Sequence, residues 1–319
     1  MIATTIPCRE VMTMFNQGLR ISNKEYRSMD GVSSSDLKKI MKSPLHYKHY
    51  KDHPEETDTP SLLFGRAAHK YVLETYDFYN EFEVARDFKY GTKEDKQATQ
   101  DFICAKAIEM GKGEEWDKFI STNPKKDDVV AFYRMLLSGK DVITQEQFEQ
   151  IDAMRNAMLA TPFVSKLING EHEVSFFWTD EDTGLQCKCR PDSLNEKLHI
   201  CVDYKTCEDA ETELFMRSAI RLGYDVQASY YLDGVKANTG EDYLFVFIAQ
   251  EKKPPYAVNI LEADENFIRS GRQTYKALLE TYKECSESGN WHGYLGADGQ
   301  INSLGVPKWI ENMLGESEE

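Results

Sequence analysis

The most constraining feature of this sequence is a series of strand-like runs in its second half. Residues 172–180 (HEVSFFWTD), 185–192 (LQCKCRPD) and 198–206 (LHICVDYKT) are rich in β-branched, aromatic and other apolar residues, with turn residues between them. Two helical segments at about 211–222 and 226–238 follow, and then two more strand-like runs at 243–250 and 256–263. This order predicts an α/β fold with a central mixed sheet flanked by helices.

The first half of the chain has mainly helical patterns. We predict helices at about 35–43 and 61–74, a mostly helical stretch from 82 to about 160 with one short strand at FEVA, and a long helix at 264–288. A length of 319 residues suits one elaborated domain. We expect an N-terminal extension at 1–30, one domain at 31–312 and an acidic tail at 313–319. The domain divides into a helical part at about 31–165 and a sheet core at about 166–290.

The net charge limits how this protein can contact nucleic acid. With 38 basic and 54 acidic residues the formal charge is −16, so any contact with DNA must be local. The seven cysteines include no CxxC pair, which indicates reduced cysteines. No signal-peptide pattern and no run of roughly 18 apolar residues is present. We therefore expect a soluble, cytoplasmic protein.

Three ionisable residues stand close together in the strand region. In a strand, Asp203 and Lys205 project from the same face while Tyr204 points away, and a short turn at 194–197 links this strand to the one that carries Asp192. Two carboxylates on one face could bind Mg²⁺, and Lys205 could orient or deprotonate an attacking water. The same pattern is also compatible with a surface salt bridge beside a hairpin.

The spacing of Pro191-Asp192 and Asp203-Tyr204-Lys205 resembles the PD-(D/E)xK nuclease signature. Five blocks resemble the RecE exonuclease (exodeoxyribonuclease VIII) branch of that superfamily: SSSDLKKIMKSPLHYK, FGRAAHKYVLE, GLQCKCRPD with VDYKT, YDVQASYYLDG, and the weaker NWHGY with LGVPKWIEN. They span roughly residues 33 to 312. The resemblance implies a restriction-endonuclease-like core with a central mixed β-sheet and a helical N-terminal elaboration.

The resemblance also implies roles for single residues. His69, in the G-x-x-x-H pattern that begins at Gly65, would bind the metal together with Asp192, Asp203 and the backbone carbonyl of Tyr204, and Lys205 would be the catalytic amine. Gln227 and Tyr231 match the Q-x-x-x-Y element near the active site. From the residues alone, His69 could be an ordinary helix histidine, and Gln227 and Tyr231 an ordinary helix-face pair. Glu173 is a further acidic candidate whose direction the sequence does not decide.

A nuclease of this branch would be a Mg²⁺-dependent double-strand DNA exonuclease, with Mn²⁺ as a substitute. The resemblance implies 5′-to-3′ resection, release of 5′-mononucleotides, 3′ single-stranded tails for a RecT-like annealing protein, and a ring-like homo-oligomer. A basic, aromatic segment suits contacts with phosphates and bases, although each lysine could equally belong to a solvated helix face. Its residues are Lys38, Lys39, Lys42, His46, Tyr47, Lys48, Tyr50 and Lys51.

Other functions remain compatible with the sequence. The motif residues also suit a single-strand exonuclease or an endonuclease. An iron–sulphur nuclease is disfavoured because a single cysteine, Cys285, follows the Q-x-x-x-Y element. The charge of −16 would also suit a non-catalytic acidic protein that mimics DNA or binds a partner. The presence of all four motif side chains disfavours the non-catalytic alternative. These are His69, Asp192, Asp203 and Lys205.

Overall fold

The strand-like runs form one five-stranded sheet and a separate hairpin in the computed structural model of this protein. The structure describes residues 18–53, 59–85, 88, 90–137, 139–296, 299, 301–306, 308 and 310. The large sheet contains β3 (Glu171–His172), β6 (Ser193–Asn195), β7 (Ile200–Cys207), β8 (Leu244–Glu251) and β9 (Val258–Glu262), in that spatial order. β7 and β8 run parallel, and the other neighbours run antiparallel. The predicted mixed sheet is therefore confirmed.

The prediction for the first three runs was only partly right. The run at 172–180 divides, because Glu173 has a positive φ of 54° that interrupts the extended backbone. Its second part, β4 (Phe176–Thr179), pairs with β5 (Gln186–Cys189) in a two-stranded sheet of its own. Residues 194 and 195, predicted as part of a turn, belong to β6. The neighbour of β7 is therefore β6, and β5 lies in the separate hairpin.

The predicted helices are present within a few residues of their expected bounds, whereas the helices Asn23–Ser28 and Pro44–Asp52 were not predicted. The FEVA strand is present as β1 (Phe82–Ala85), paired with β2 (Asp141–Thr144). The helices are α1 Asn23–Ser28, α2 Ser34–Lys42, α3 Pro44–Asp52, α4 Pro60–Leu73, α5 Phe78–Glu81, α6 Lys93–Glu109, α7 Gly113–Ile120, α8 Lys126–Leu136, α9 Gln145–Ala160, α10 Val164–Leu167, α11 Thr212–Arg221, α12 Tyr224–Thr239 and α13 Glu265–Ser288.

Side-chain alternation along β7 divides the core between the two faces of the sheet. Val202 and Tyr204 pack into an apolar cluster with residues of α4 and α9, such as Ala68 and Met154. Cys201 packs into a second cluster on the opposite face, with residues of α12 and α13. Both faces of the sheet are therefore covered by helices, and Asp203 is completely buried among them.

The helices that position the site have clear local start signals. Thr59 caps α4 by accepting a hydrogen bond from the Leu62 N–H, and Pro60 occupies the first turn, where its missing N–H costs nothing. Ser33 and Asp36 form a capping box at the start of α2. Helix α12 begins after Gly223, whose φ of +66° favours glycine.

The ends of the chain contribute little that can be described. Leu19 forms an isolated bridge with Ser175, so residues just before α1 lie beside the β4 segment. Residues 1–17 and the predicted acidic tail at 313–319 lie outside the described residues, and the predicted domain boundaries stay predictions. Among the described residues, no helix is long and apolar enough to span a membrane.

Candidate active site

The candidate site lies where β6 ends and leaves one edge of β7 open. β6 pairs with β7 up to Ser193 opposite Val202. Beyond that point Asp192 takes the place of a partner strand, and its Oδ2 accepts a hydrogen bond of 2.7 Å from the Tyr204 N–H. In an extended strand the N–H and C=O of one residue point to the same side. The Tyr204 carbonyl therefore faces the same edge as Asp192.

Three ionisable side chains meet at this edge, and we call them the acidic cluster: His69, Glu173 and Asp192. Their ligand atoms all lie within 4.8 Å of one another. His69 Nε2 is 2.9 Å from Asp192 Oδ2, and His69 Nδ1 is 3.6 Å from Glu173 Oε1. Helix α4 presents His69 across the sheet edge, and the cluster joins a helix, a loop and a strand end.

The backbone at Glu173 is held in an unfavourable conformation. Its φ of 54° lies in the left-handed region, which costs a non-glycine residue about 1 kcal/mol or more. Arg190 holds the residue from the other side: its Nε lies 2.7 Å from Glu173 Oε2 and donates to the Glu173 carbonyl at 3.0 Å. The strained backbone turns the Glu173 carboxylate toward His69 and decides the direction that the sequence left open.

The opposite side of β7 carries a second group, which we call the lysine cluster: Asp203, Lys205, Gln227 and Lys38. Lys205 Nζ lies 2.5 Å from Asp203 Oδ2. Gln227 Nε2 donates to Asp203 Oδ1 at 2.6 Å. The Gln227 Oε1 accepts from Lys38 at 2.8 Å and from Lys205 at 3.4 Å. A buried carboxylate, an amide and two amines therefore share one hydrogen-bonded network.

Burial and neighbouring charges shift the pKa values in the acidic cluster. Burial opposes a charge on His69, but the Asp192 carboxylate and its hydrogen bond outweigh burial and raise the pKa of His69 to about 9. Although burial opposes it, His69 lowers the pKa of Asp192. Burial raises the pKa of Glu173 to about 7 against the attraction of His69. Protonated His69 therefore offsets part of the negative charge of the cluster, and a metal ion that binds His69 would displace its proton.

In the lysine cluster, the pKa values of Asp203 and Lys205 are both raised. Burial and the charge of Asp192 raise the pKa of Asp203 to about 6, although Lys205 opposes the shift. Burial disfavours the charge of Lys205, but Asp203 and Asp192 outweigh burial and raise its pKa. Lys205 therefore remains protonated near neutral pH. A protonated amine can orient water and stabilise negative charge, whereas it cannot accept a proton.

The donors at the edge of β7 fit a divalent cation. The acidic cluster offers one imidazole nitrogen and two carboxylates. Asp203 lies outside this cluster, and its buried Oδ2 faces the Lys205 ammonium at 2.5 Å. Carboxylate and carbonyl oxygens suit Mg²⁺ and Mn²⁺, and an imidazole suits Mn²⁺ better than Mg²⁺.

The structure brings most of the predicted residues together. His69, Asp192, Asp203, Lys205 and Gln227 all take part in one of the two clusters. Tyr231 belongs to neither cluster: its ring packs against Phe245, with centroids 6.4 Å apart, while the charge of Asp203 acts on its hydroxyl. Gly65 faces Thr206, and an added Cβ would meet its Oγ1 at 3.9 Å, an ordinary van der Waals distance.

Sequence reasoning missed the roles of Arg190, Lys38 and Tyr224. Arg190 stands directly before Pro191-Asp192, and that position is a signal that could have been used. Lys38 was one of eight residues in a basic, aromatic segment, and no local pattern separated it from the others. Tyr224 lies under both amines, with its ring centre 4.8 Å from Lys205 Nζ and 5.4 Å from Lys38 Nζ.

Comparisons with known proteins bear on the family and the fold. The family described as PDDEXK-like domain of unknown function matches residues 33–300. A solved structure from Eubacterium rectale, described as a "putative exonuclease", is similar over 93% of this chain and 98% of its own, with a TM-score of 0.52 and 15% sequence identity. That likeness shows the fold. No curated protein matches the chain at a significant level.

Proposed function

Because this chain belongs to the PDDEXK-like family of unknown function, and so to the PD-(D/E)xK nuclease superfamily, we propose that it is a divalent-metal-dependent nuclease that hydrolyses phosphodiester bonds in DNA. The observation that carries the proposal is the meeting of the two clusters on either side of β7. Asp192 belongs to the acidic cluster, and its charge also acts on Asp203 and Lys205. A cation site and two amines therefore lie next to each other.

Each part of the site has a task in this proposal. His69, Glu173 and Asp192 would hold the cation, with Asp203 Oδ2 and the Tyr204 carbonyl as further oxygen ligands. A bound divalent cation would lower the pKa of a coordinated water and offset charge on the phosphate. Lys205 would orient the attacking water and stabilise negative charge that develops on the phosphate. Gln227 would keep Asp203 and Lys205 in position through its hydrogen bonds.

The finer proposal is a double-strand DNA exonuclease. The resemblance to the RecE branch supports 5′-to-3′ resection that releases 5′-mononucleotides and leaves 3′ tails for a RecT-like annealing protein. The description of the Eubacterium rectale structure supports exonuclease action. With a net charge of −16, DNA contact would have to be confined to a local surface, such as the channel of a ring-like homo-oligomer. Mg²⁺ is the proposed cofactor, and Mn²⁺ is expected to replace it.

The proposal is tested by digestion of linear duplex DNA labelled separately at its 5′ and 3′ ends. The reactions contain Mg²⁺, Mn²⁺ or EDTA. We compare the wild type with Lys205→Met, which keeps much of the side-chain length but removes the charge. Lys197→Met is the matched control because Lys197 is exposed in the turn between β6 and β7. We expect early metal-dependent release of 5′ label as mononucleotide by the wild type and Lys197→Met, and almost none by Lys205→Met.

Other outcomes identify the alternatives. Digestion of single-stranded DNA in preference to duplex would indicate a single-strand exonuclease. Cleavage of covalently closed circular DNA would indicate an endonuclease. Intact DNA in every reaction, together with tight binding of a protein partner that Asp192→Asn leaves unchanged, would indicate the non-catalytic acidic protein. The oligomeric state, measured by light scattering, tests the ring: a monomer at the assay concentration would contradict it.

A further inference from the structure

Lys38 lies on helix α2 and is the one member of the lysine cluster that comes from the N-terminal helices. It is 189 residues away in sequence from its partner Gln227. Its ammonium group donates to Gln227 Oε1 at 2.8 Å. Its side chain passes over Gly223, where an added Cβ would lie 3.1 Å from Lys38 Cγ. Gly223 therefore leaves room for this lysine. Other lysines of the same segment pair elsewhere: Lys48 with Asp52, and Lys51 with Asp36.

The Gln227 amide is oriented by its contact with Asp203. Because Gln227 Nε2 donates to Asp203 Oδ1, the Oε1 end of the amide must face the two lysines. Lys38 and Lys205 therefore bind one oxygen atom and lie over one aromatic ring, that of Tyr224. Two ammonium groups are held together by a neutral amide and a neutral ring.

Lys38 lacks a direct ionic partner in this arrangement, although Asp203 and Asp192 act on it from further away. Lys205 is paired with Asp203, but Lys38 has no ion pair among the described residues of the network. Like charges in a partly desolvated place repel each other unless an anion lies between them. Burial and the nearby charge of Lys205 lower the pKa of Lys38 to about 7. An incoming anion would offset this repulsion.

We propose that Lys38 and Lys205 form a phosphate-binding subsite in which Lys38 hydrogen-bonds a non-bridging oxygen of the phosphodiester that is cleaved. The inference rests on the proposed nuclease function and deepens it. Lys38 makes or breaks no bond and transfers no proton. It neutralises charge on the phosphate from the side of α2, opposite the acidic cluster. The anion that fits is a singly charged phosphodiester, because only the ammonium of Lys38 lacks an ion pair in this cluster while Lys205 is paired with Asp203.

The test compares Lys38→Met, Lys38→Gln and Lys38→Arg with wild type and the exposed control Lys197→Met. Binding is measured by fluorescence anisotropy in Ca²⁺, which coordinates oxygen ligands with looser geometry than Mg²⁺. One duplex has ordinary phosphates, and a second carries a neutral methylphosphonate at the first internucleotide linkage of every end. Turnover in Mg²⁺ and thermal unfolding of each variant are measured in parallel.

We expect Lys38→Met and Lys38→Gln to bind the ordinary duplex about 10- to 100-fold more weakly than wild type, as loss of a charged hydrogen bond implies. Lys38→Arg should recover most of the affinity. On the methylphosphonate duplex, wild type and both uncharged variants should bind alike, because the charge that Lys38 recognises is gone. Lys197→Met should follow wild type on both duplexes. A purely structural role would not produce this dependence on the substrate.

Two outcomes overturn the subsite: uncharged Lys38 variants that bind the ordinary duplex like Lys197→Met, or a loss of affinity that is equal on both duplexes. The nuclease proposal fails separately. If wild type does not hydrolyse DNA but the uncharged variants still lose charge-dependent binding, the subsite stands without the reaction. If wild type hydrolyses DNA and the variants do so at the same rate and affinity, the subsite alone is wrong. Should one variant fail to fold, the other uncharged variant and Lys38→Arg still decide.

Discussion

The acidic cluster and the lysine cluster lie on either side of the same strand, but they hold their charges differently. In the acidic cluster, the charge of Asp192 is offset mainly by His69, whose pKa is raised to about 9, while burial raises the pKa of Glu173 to about 7. In the lysine cluster, a buried carboxylate is balanced by an amine and an amide. In the proposed function, a metal ion would bind at the acidic cluster and a phosphate at the lysine cluster.

The largest effect is expected when the acidic cluster loses its central residue. Asp192→Asn should lower turnover by at least about 10³-fold, because Asp192 contacts both His69 and the Tyr204 N–H and offers ligand oxygens. Binding of Mn²⁺, measured by calorimetry, should fall with it. Asp242→Asn is the control, since Asp242 is exposed and pairs with Lys236 on the surface. Turnover within tenfold of wild type would disprove a central role for Asp192.

The second-largest effect on turnover is expected from a mutation that disrupts only the lysine cluster. Gln227→Ala should lower turnover about 10- to 100-fold while Mn²⁺ affinity stays nearly unchanged. It should also cost about 1–3 kcal/mol of unfolding free energy, because Asp203 Oδ1 loses its donor in a buried place. Urea unfolding measures the free energy of unfolding, and a digestion assay measures turnover. Gln145→Ala is the control, because Gln145 is exposed. An equal loss of metal affinity would show that the two clusters are one unit.

A smaller effect, on Mn²⁺ affinity, distinguishes which carboxylates bind the metal. Glu173→Gln keeps the side-chain size and should weaken Mn²⁺ binding by about 10-fold, with turnover recovering at saturating Mn²⁺. The ligand set implied by the family resemblance contains Asp203 in place of Glu173, so Asp203→Asn is titrated in parallel. Unchanged affinity in Glu173→Gln together with a strong loss in Asp203→Asn would favour the set from the resemblance over the acidic cluster.

The smallest effect concerns the stability of the metal-free protein. The folded-state pKa of His69, about 9, lies above its ordinary value of 6.5. Its stabilising charge is therefore fully present below about pH 6.5 and is lost as the pH rises through about 9. In EDTA, wild type should lose a few degrees of melting temperature relative to His69→Gln across this window. If the melting temperatures of the two proteins change equally with pH between pH 6 and 9.5, the raised pKa of His69 is refuted.

Much of the site could be predicted because its signals are local. Asp203 and Lys205 face the same way since side chains alternate along any strand. Helical composition located the segments that carry His69 and Gln227, whose roles only the family resemblance implied. The run at 172–180 shows where local reasoning stopped. Its composition is that of one strand, but the positive φ at Glu173 divides it, and contacts from Arg190 and Asp192 hold that backbone in place.

The sequence by itself therefore determined the α/β class, the mixed sheet, and the residues His69, Asp192, Asp203, Lys205 and Gln227 as candidates. Only the tertiary structure decided that Glu173 joins His69 and Asp192, that Lys38 reaches Gln227, and that Tyr231 packs into the core. The physical reason is distance along the chain. Alternation and helix caps depend on neighbours within a few residues. The contacts of His69 with Glu173 and of Lys38 with Gln227 join residues more than 100 positions apart, which only the packing of the sheet and helices brings together.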